Sequence, residues 1–187
     1  MVENRNKALL IIDVQNYFFT PQAKTYLPSC AAVLAKINSL VIMANSLGML
    51  VIVTTHQAPT AADNLMSRKW RYLPSGRQCD VYEGLKLPPT VIRLPKEHYS
   101  AFHETELQSI LKSWNVNHLL VCGVMTDLCV DTTVRHAFML GFVVTLVEDA
   151  CCSKDERYHA AALLVLRRGF CKLVKTSQIL EQFSETL

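Results

Sequence analysis

Three residues of the chain have the chemical character of a nucleophile, a base and a cation, and each follows a short apolar segment. Asp13 ends the run ALLIID, Lys96 follows TVIRLP, and Cys129 comes shortly after HLLVCGV. A thiolate is a strong nucleophile, a neighbouring carboxylate can accept the thiol proton, and an ammonium group stabilises the resulting negative charge. These residue types predict nucleophilic catalysis at a cysteine, provided that the fold brings the three together.

The sequence around Cys129 predicts a thiol close to the beginning of a helix. Thr126 is of a type that caps helices, which places Cys129 in the first turn. The helix dipole and the free backbone N–H groups there favour a thiolate, and Lys96 adds positive charge, so we expect a lowered thiol pKa. The backbone N–H groups of Met125 and Cys129 are then candidates for an oxyanion hole. The alternative is a capped helix with a buried core thiol.

Histidines fit the role of general base less well. His136 lies seven residues after Cys129 on the same predicted helix. At ~1.5 Å per residue the two are about 10 Å apart along the axis, which is too far for direct proton transfer. His98 and His103 lie closer to Lys96 in the sequence and could contact a substrate, but loop histidines are usually solvated. We therefore expect the carboxylate of Asp13 to be the base.

Hydrophobic periodicity predicts alternating strands and helices. The predicted strands cover residues 8–14, 49–54, 90–94, 118–122, 142–147 and 170–174. The predicted helices cover 30–47, 104–114, 127–140 and a segment up to 168, with a last short helix after 176. Ser29 is the expected cap of the first helix. Ser153 to Glu156 forms the expected capping box of the fourth. Residues 57–89 are polar, rich in proline and glycine, and predict a long surface excursion with at most a short helix.

The predicted strands are apolar throughout rather than alternating, which is typical of strands buried on both faces. The sequence therefore predicts an α/β fold, a doubly wound six-stranded parallel sheet with helices on both faces, in one domain over residues 1–187. Ligands of such Rossmann-like three-layer sandwiches bind at the carboxyl edge of the sheet. Strands one, two and three end in Asp13, His56 and Lys96, strand four in Gly123-Val-Met, and strand five in Glu148-Asp149, so polar groups converge there.

Composition excludes several classes of protein. The chain has 187 residues, of which 50% are hydrophobic and 19% charged, so extensive disorder is not expected. A net charge of +3 is too small and dispersed for a nucleic-acid-binding surface. We find no signal peptide pattern and no apolar stretch of the roughly 18 residues that span a bilayer. We therefore expect a soluble, cytoplasmic protein that binds neither nucleic acid nor membrane.

The cysteines and the first predicted turn exclude two further kinds of site. The seven cysteines are an odd number, most lie in apolar runs, and none forms a Cys-x-x-Cys pair, so reduced structural thiols are expected and zinc is not. No Gly-x-Gly-x-x-Gly follows the first strand, which argues against a nucleotide-binding protein.

Four segments resemble the isochorismatase-like cysteine hydrolases, a family that includes nicotinamidases and N-carbamoylsarcosine amidase. They are ALLIIDVQNYF (8–18), RLPKEHYSAF (93–102), LLVCGVMTDLCVDTTVRHAFMLGF (119–142) and VTLVEDACCS (144–153). The resemblance implies that Asp13, Lys96 and Cys129 form a catalytic triad. It further implies a cis peptide between Val124 and Met125, next to the oxyanion-hole amides.

The resemblance also implies a substrate pocket and raises the question of a metal. Phe18, Tyr99 and Phe102 match positions that line the pocket in family members, although core packing is an alternative for each. Nicotinamidases carry an Asp-x-His pair and a further histidine as metal ligands. Here the pair reads His56 and Ala58, and residues 59–89 contain no histidine. We therefore expect no required metal and no cofactor, and His56 either contacts the substrate or is structural.

The resemblance implies a metal-independent cysteine hydrolase that cleaves a C–N bond of a small amide or ureido compound through a thioester. Isochorismatase-type cleavage, nicotinamidase-type hydrolysis and a non-catalytic binding member of the fold are alternatives. The segment RKWR (68–71) is either a solvated turn or a contact to a substrate carboxylate. Family members commonly form dimers or tetramers, so a homo-oligomer is expected.

Overall fold

Six strands form a single parallel sheet in the computed structural model, which describes residues 6–61 and 63–184. The strands are β1 (Lys7–Ile12), β2 (Leu50–His56), β3 (Ile92–Lys96), β4 (His118–Val124), β5 (Val143–Cys152) and β6 (Lys172–Val174). Their order across the sheet is β3-β2-β1-β4-β5-β6, and every neighbouring pair is parallel. The predicted α/β fold with a six-stranded parallel sheet is confirmed.

Helices cover both faces of this sheet. They are α1 (Asn16–Phe19), α2 (Cys30–Ser46), α3 (Leu65–Lys69), α4 (Leu107–Ser113), α5 (Asp131–Met139), α6 (Glu156–Gly169) and α7 (Thr176–Ser184). Every residue from Ala8 to Ile12 is fully buried. Because successive side chains of a strand point to opposite faces, neither face of β1 is left open. Helix α2 packs on α7, and α5 packs on α6.

Residues 57–89 fold back over the carboxyl end of β1. They contain the short helix α3 and one turn of 3-10 helix at Gly76–Cys79. The Asn16 amide donates to the carbonyl of Asp80 at 3.0 Å, and the Tyr82 amide donates to the carbonyl of Val14 at 2.9 Å. The predicted surface excursion is therefore tied by backbone hydrogen bonds to the edge where ligands are expected.

The structure corrects two predicted helix caps. The Ser29 side chain makes no capping hydrogen bond to α2. Helix α6 begins at Glu156, and the Asp155 carboxylate accepts from the Arg157 amide at 2.8 Å. The predicted capping box that begins at Ser153 is therefore wrong, because Asp155 occupies the capping position.

Strand β5 runs five residues beyond the predicted end at 147, to Cys152. Asp149, expected at the ligand edge, accepts hydrogen bonds from the amide and hydroxyl of Thr176, both at 2.8 Å, and pairs with Lys36 at 3.0 Å. These contacts lower the pKa of Asp149 although burial raises it. Asp149 thus joins β5 to α2 and to the beginning of α7. Within the described part of the chain, no helix has the length and apolar character needed to cross a bilayer.

Candidate active site

Asp13 follows β1 directly and is held by side chains of β2 and β3. Its Oδ1 accepts from the Thr54 hydroxyl at 2.6 Å, and its Oδ2 accepts from Lys96 Nζ at 2.8 Å. Its backbone adopts φ +52°, in the left-handed region that few residues other than glycine occupy, and its amide donates to Thr54 at 3.2 Å. The carboxylate is therefore fixed in place from both sides.

Lys96, the last residue of β3, forms a fully buried ion pair with Asp13. Burial lowers the pKa of Lys96, but attraction to Asp13 and to Cys129 outweighs it, and the pKa is raised overall. Lys96 also donates to the carbonyl of His98 at 3.1 Å. The ammonium group is thus charged and directed by two acceptors, as buried charges require.

Cys129 lies close enough to Asp13 and Lys96 for both to act on its thiol. The structure therefore brings together the three residues that the sequence singled out. Burial raises the pKa of the Cys129 thiol, Asp13 raises it further, and Lys96 lowers it, with a raised pKa as the net result. The expected lowering of this pKa is wrong because the thiol is only 5% exposed and a carboxylate faces it. The resting site holds a protonated thiol beside its base.

The turn that carries Cys129 differs from the predicted helix beginning. Residues 126–130 form a π-helical turn that leads into α5. The Thr126 hydroxyl shares a hydrogen bond with His159 Nδ1 at 2.8 Å and does not cap the helix. The thiol is consequently placed by this widened turn, and the predicted cap at Thr126 is wrong.

The peptide bond between Val124 and Met125 is cis, as the resemblance implies. Gly123 precedes it with φ +117°, and a Cβ at Gly123 would come within 2.1 Å of the carbonyl oxygen of Ile12. Only glycine permits this approach of β4 to β1. That the Met125 and Cys129 amides form an oxyanion hole stays a prediction.

A cavity of about 320 Å³ opens beside Cys129. Its wall includes Phe18, His56 and Tyr99, three of the four predicted pocket residues, together with Met125. Their contact with a substrate stays a prediction.

Phe102, the fourth predicted pocket residue, does not line this cavity. Its ring packs 5.4 Å from that of His136 and 5.6 Å from that of Phe142. The neighbouring Ala101 amide donates to the Thr133 hydroxyl on α5 at 3.0 Å. Phe102 thus packs in the core, and its contact with a substrate stays a prediction.

His56, at the end of β2, lies in the cavity wall with one nitrogen unsatisfied. Its Nδ1 is buried and has no hydrogen-bond partner among the described residues. Burial lowers the pKa of His56 to about 4, and Lys96 lowers it while Asp13 raises it. The imidazole is therefore neutral near neutral pH.

Gln15 is a residue of the site that the sequence reasoning missed. Its fully buried side chain accepts from the His56 amide at 2.7 Å and donates to the His56 carbonyl at 3.0 Å. A glutamine just after a buried strand is the signal that was available, because such an amide needs backbone partners. Gln15 positions His56 across the edge of the sheet.

Two aromatic residues of the polar loop also line the cavity: Trp70 belongs to the segment RKWR (68–71), whereas Tyr72 was missed. Trp70 Nε1 donates to the Tyr99 hydroxyl at 2.7 Å. The loop therefore closes one side of the cavity. This is what a contact between RKWR (68–71) and a substrate carboxylate would require.

The residues around His56 do not fit the metal site of the nicotinamidases. The nearby carboxylate, Asp13, is already engaged by Thr54 and Lys96. Over residues 6–61 and 63–184, the one group of metal-ligating side chains within mutual reach is His98, His103 and Glu104, with ligand atoms within 4.8 Å of one another. This group is half to fully exposed and lies outside the cavity wall, so it supplies no step at Cys129.

The carboxyl edge of this α/β sheet thus brings together an acid, a lysine and a cysteine, which are a candidate base, cation and nucleophile. A family model for the isochorismatase domain matches residues 7–178. The chain belongs to the isochorismatase family and is a hydrolase of that family.

Named relatives cover nearly the whole chain. Nicotinamidase 3 of Arabidopsis thaliana is 31% identical over 92% of this chain and 86% of its own length. The ureidoacrylate amidohydrolase RutB of Caulobacter segnis is 26% identical over 94% and 84%. A crystal structure of a cysteine hydrolase from Pseudomonas syringae pv. phaseolicola 1448A superposes with a TM-score of 0.89 at 21% identity, over 98% of this chain and 95% of that one. At that identity the structural match bears on the fold alone.

Proposed function

We propose that the protein hydrolyses a C–N bond of a small amide or ureido compound, with Cys129 as nucleophile and without a metal or other cofactor. The observation that carries the proposal is the buried contact of Cys129 with the Asp13–Lys96 ion pair beside a cavity. The two named relatives, a nicotinamidase and a ureidoacrylate amidohydrolase, both bear the names of amide-cleaving enzymes.

The first half of the reaction forms a thioester. Asp13 accepts the proton of the Cys129 thiol, and the sulfur attacks the carbonyl carbon of the substrate. The developing oxyanion lies against the backbone N–H groups of Met125 and Cys129. When the oxyanion collapses, the C–N bond breaks, and Asp13 returns its proton to the leaving ammonia or amine. Lys96 stabilises negative charge on sulfur and carboxylate in turn.

The second half regenerates the thiol. Asp13 takes a proton from water, the hydroxide oxygen attacks the thioester carbonyl, and the C–S bond breaks. The proton held by Asp13 then passes to sulfur, which leaves the acid as product and restores the resting site.

Nicotinamide hydrolysis is the second candidate, favoured by the 31% identity with a nicotinamidase and by the aromatic wall of the cavity. The absence of a metal-ligand set at His56, among the described residues, makes it the weaker candidate.

The experiment is a screen of amides and ureido compounds, including nicotinamide, for ammonia release. We expect Cys129→Ala to lose about 1000-fold or more of the activity while its melting temperature stays close to wild type. Acid-quenched protein should carry an acyl adduct in wild type and none in Cys129→Ala, by intact mass spectrometry. Cys171→Ala, which removes a half-buried thiol outside the cavity wall, is the matched control and should stay active.

Two outcomes oppose the proposal. Undiminished turnover by Cys129→Ala excludes the thiol as nucleophile. A folded wild-type protein that hydrolyses none of the compounds would favour a non-catalytic member of the fold. We further propose a cytoplasmic location and a homo-oligomeric state. Sedimentation equilibrium tests the oligomeric state directly.

A further inference from the structure

We propose that His98, His103 and Glu104 bind a divalent transition metal ion of the zinc class, which fastens the connection between β3 and α4. This group of side chains lies outside the cavity wall. The ion therefore takes no part in the reaction proposed at Cys129, and the inference stands independently of the proposed function.

The three side chains hold their donor atoms at separations close to those of a metal centre. His98 Nε2 lies 3.0 Å from Glu104 Oε2, and His103 Nε2 lies 3.8 Å from Glu104 Oε1. One donor atom of each residue lies within 4.8 Å of the other two. A tetrahedral ion with bonds of ~2.0–2.1 Å places neighbouring donor atoms about 3.3 Å apart. Small side-chain rotations are therefore enough to bring all three donors onto one ion.

The chemistry of the donors selects the class of ion. Two imidazole nitrogens and one carboxylate oxygen suit Zn²⁺, Ni²⁺ or Cu²⁺, whereas Mg²⁺ and Ca²⁺ prefer oxygen ligands throughout. His103 and Glu104 are exposed to solvent, and His98 is half-buried. Water therefore has access to the fourth position of a tetrahedral ion.

The surrounding charges favour a cation at this place. Residues 97–111 contain three glutamates and neither lysine nor arginine. Lys96, which precedes them, is neutralised by Asp13 in a buried ion pair. A divalent ion that replaces the proton shared by His98 and Glu104 therefore meets a negative local field.

The backbone between the three ligands is held by hydrogen bonds of its own. The Ala101 amide donates to the Thr133 hydroxyl on α5 at 3.0 Å. The Phe102 amide donates to the Ser100 hydroxyl at 3.1 Å, and the His103 amide donates to the Ser100 carbonyl at 3.3 Å. Ligands carried by a backbone that is already ordered lose less entropy when they bind an ion.

The connection that carries these ligands also holds parts of the candidate active site. Lys96 Nζ donates to the His98 carbonyl at 3.1 Å, and Tyr99 lines the cavity. An ion shared by His98 and Glu104 joins the two ends of the turn that contains Tyr99. It thereby stabilises the backbone next to Lys96 without contacting the cavity.

A hydrogen-bonded histidine–glutamate pair without any ion is the alternative interpretation. The rings of His98 and His103 meet edge to face, with their centres 4.4 Å apart. Such exposed pairs contribute little to stability. The two interpretations differ in one measurable property, which is the affinity of the group for a transition metal ion.

The test is a titration of the full reduced chain with Zn²⁺ in competition with a chromophoric chelator. We expect one site whose affinity falls at least ~10-fold in His103→Asn and in Glu104→Gln, since loss of even an outer partner of a ligand costs 10–100-fold. At a Zn²⁺ concentration of about 100 times Kd, the melting temperature of wild type should rise by about 5 °C. The two variants should melt like wild type without the ion and should not gain this rise.

Glu106→Gln is the matched control. Glu106 is exposed on the same connection, and its substitution removes the same charge as Glu104→Gln, but it does not belong to the group of ligands. Its affinity for Zn²⁺ should equal that of wild type. A fall of the same size in Glu106→Gln would show a general effect of charge and overturn the site.

Co²⁺ in place of Zn²⁺ identifies the donor atoms. The half-buried thiols of Cys79 and Cys171 are the competing ligands. Thiolate ligands give bound Co²⁺ an intense charge-transfer band in the near ultraviolet, whereas nitrogen and oxygen ligands give only weak visible bands. Weak visible bands that disappear in His103→Asn support the site. A thiolate band, an affinity unchanged in both variants, or a wild type that binds no Zn²⁺ overturns it.

Discussion

The chemistry of the site depends on side chains that are buried against one another. Asp13 and Lys96 have no solvent-exposed side-chain surface, and Cys129 is almost as deeply buried. Removing one member of a buried ion pair leaves an uncompensated charge, which costs about 3–5 kcal/mol. We therefore expect substitution of Lys96 to destabilise the fold as well as to disturb the site, whereas Cys129→Ala removes a neutral thiol and leaves the ion pair in place.

His56 leads to a prediction about stability and pH. Its pKa is lowered from an ordinary 6.5 to about 4 in the folded protein. Between these values the unfolded chain binds the proton and the folded one does not, so the free energy of unfolding rises with pH there. The contribution is fully present above about pH 6.5 and is lost as pH falls towards 4. A pKa lowered by this much corresponds to roughly 3 kcal/mol at most.

The measurement is urea unfolding of wild type and His56→Asn at pH 7 and pH 5. We expect wild type to lose about 2 kcal/mol more than the variant over this interval, because the buried imidazole must be protonated against its surroundings. Equal losses in the two proteins would contradict the lowered pKa of His56.

At the scale of the elements, the site is made where parallel strands end. β1, β2 and β3 lie side by side and deliver Asp13, His56 and Lys96 to the same edge. The register pairs His56 with Lys96 across β2 and β3. β4 lies on the other side of β1, and Gly123 is paired with Ile12. The thiol reaches the acid because this pairing brings the turn after β4 against the end of β1.

Gly123 is therefore a backbone position on which the site depends. Gly123→Ala places a methyl group 2.1 Å from the carbonyl oxygen of Ile12 in a backbone conformation with positive φ. We expect a loss of more than about 3 kcal/mol in the free energy of unfolding, measured by urea titration, because neither strand can move away within the sheet.

Gly169→Ala is the control for this prediction. Gly169 ends α6, has an ordinary φ, and has no atom of the described residues within 4 Å of the position of a new Cβ. Stability should be unchanged or rise by up to about 1 kcal/mol, since alanine favours a helix. A similar loss in both variants would mean that the contact with Ile12 is not the cause.

At the scale of the whole molecule, one hydrophobic core extends from β1 to α7. The cluster of buried apolar residues runs from Ala8 to Phe183 without division. Such continuity implies that the sheet and its helices lose structure together, and the single domain over residues 1–187 stays a prediction.

A single cooperative unfolding transition is the prediction at this scale. Far-ultraviolet circular dichroism reports on the whole sheet, and the fluorescence of Trp70 and Trp114 reports on the loop beside the cavity and on the end of α4. We expect the two signals to change at the same temperature. Separate transitions would contradict a single domain. A midpoint that rises with protein concentration would support the proposed homo-oligomer, since association stabilises the folded state.

The fold and the candidate reactive residues could be predicted from the sequence. Uniformly apolar strands such as ALLII require cover on both faces, and the alternation with helices leaves a parallel α/β sheet as the solution. Asp13 and Lys96 are recognisable because an ionisable residue directly after a buried strand must lie at the carboxyl edge. Cys129 is recognisable because it follows β4 near the beginning of a predicted helix, and the cis peptide at Val124–Met125 is implied by the resemblance of the segment around it.

Properties that depend on distant parts of the chain could be read only from the tertiary structure. The raised pKa of Cys129 follows from burial by many neighbours, which no local pattern contains. Tyr99 faces the cavity and Phe102 the core because α5 anchors the turn between them. The Gln15 side chain accepts a hydrogen bond from the amide of His56, which lies 41 positions away in the sequence. Lys24, Arg71 and Lys154 line the same cavity although they belong to three separate segments. The packing of the backbone brings them together, and their spacing in the sequence does not show it.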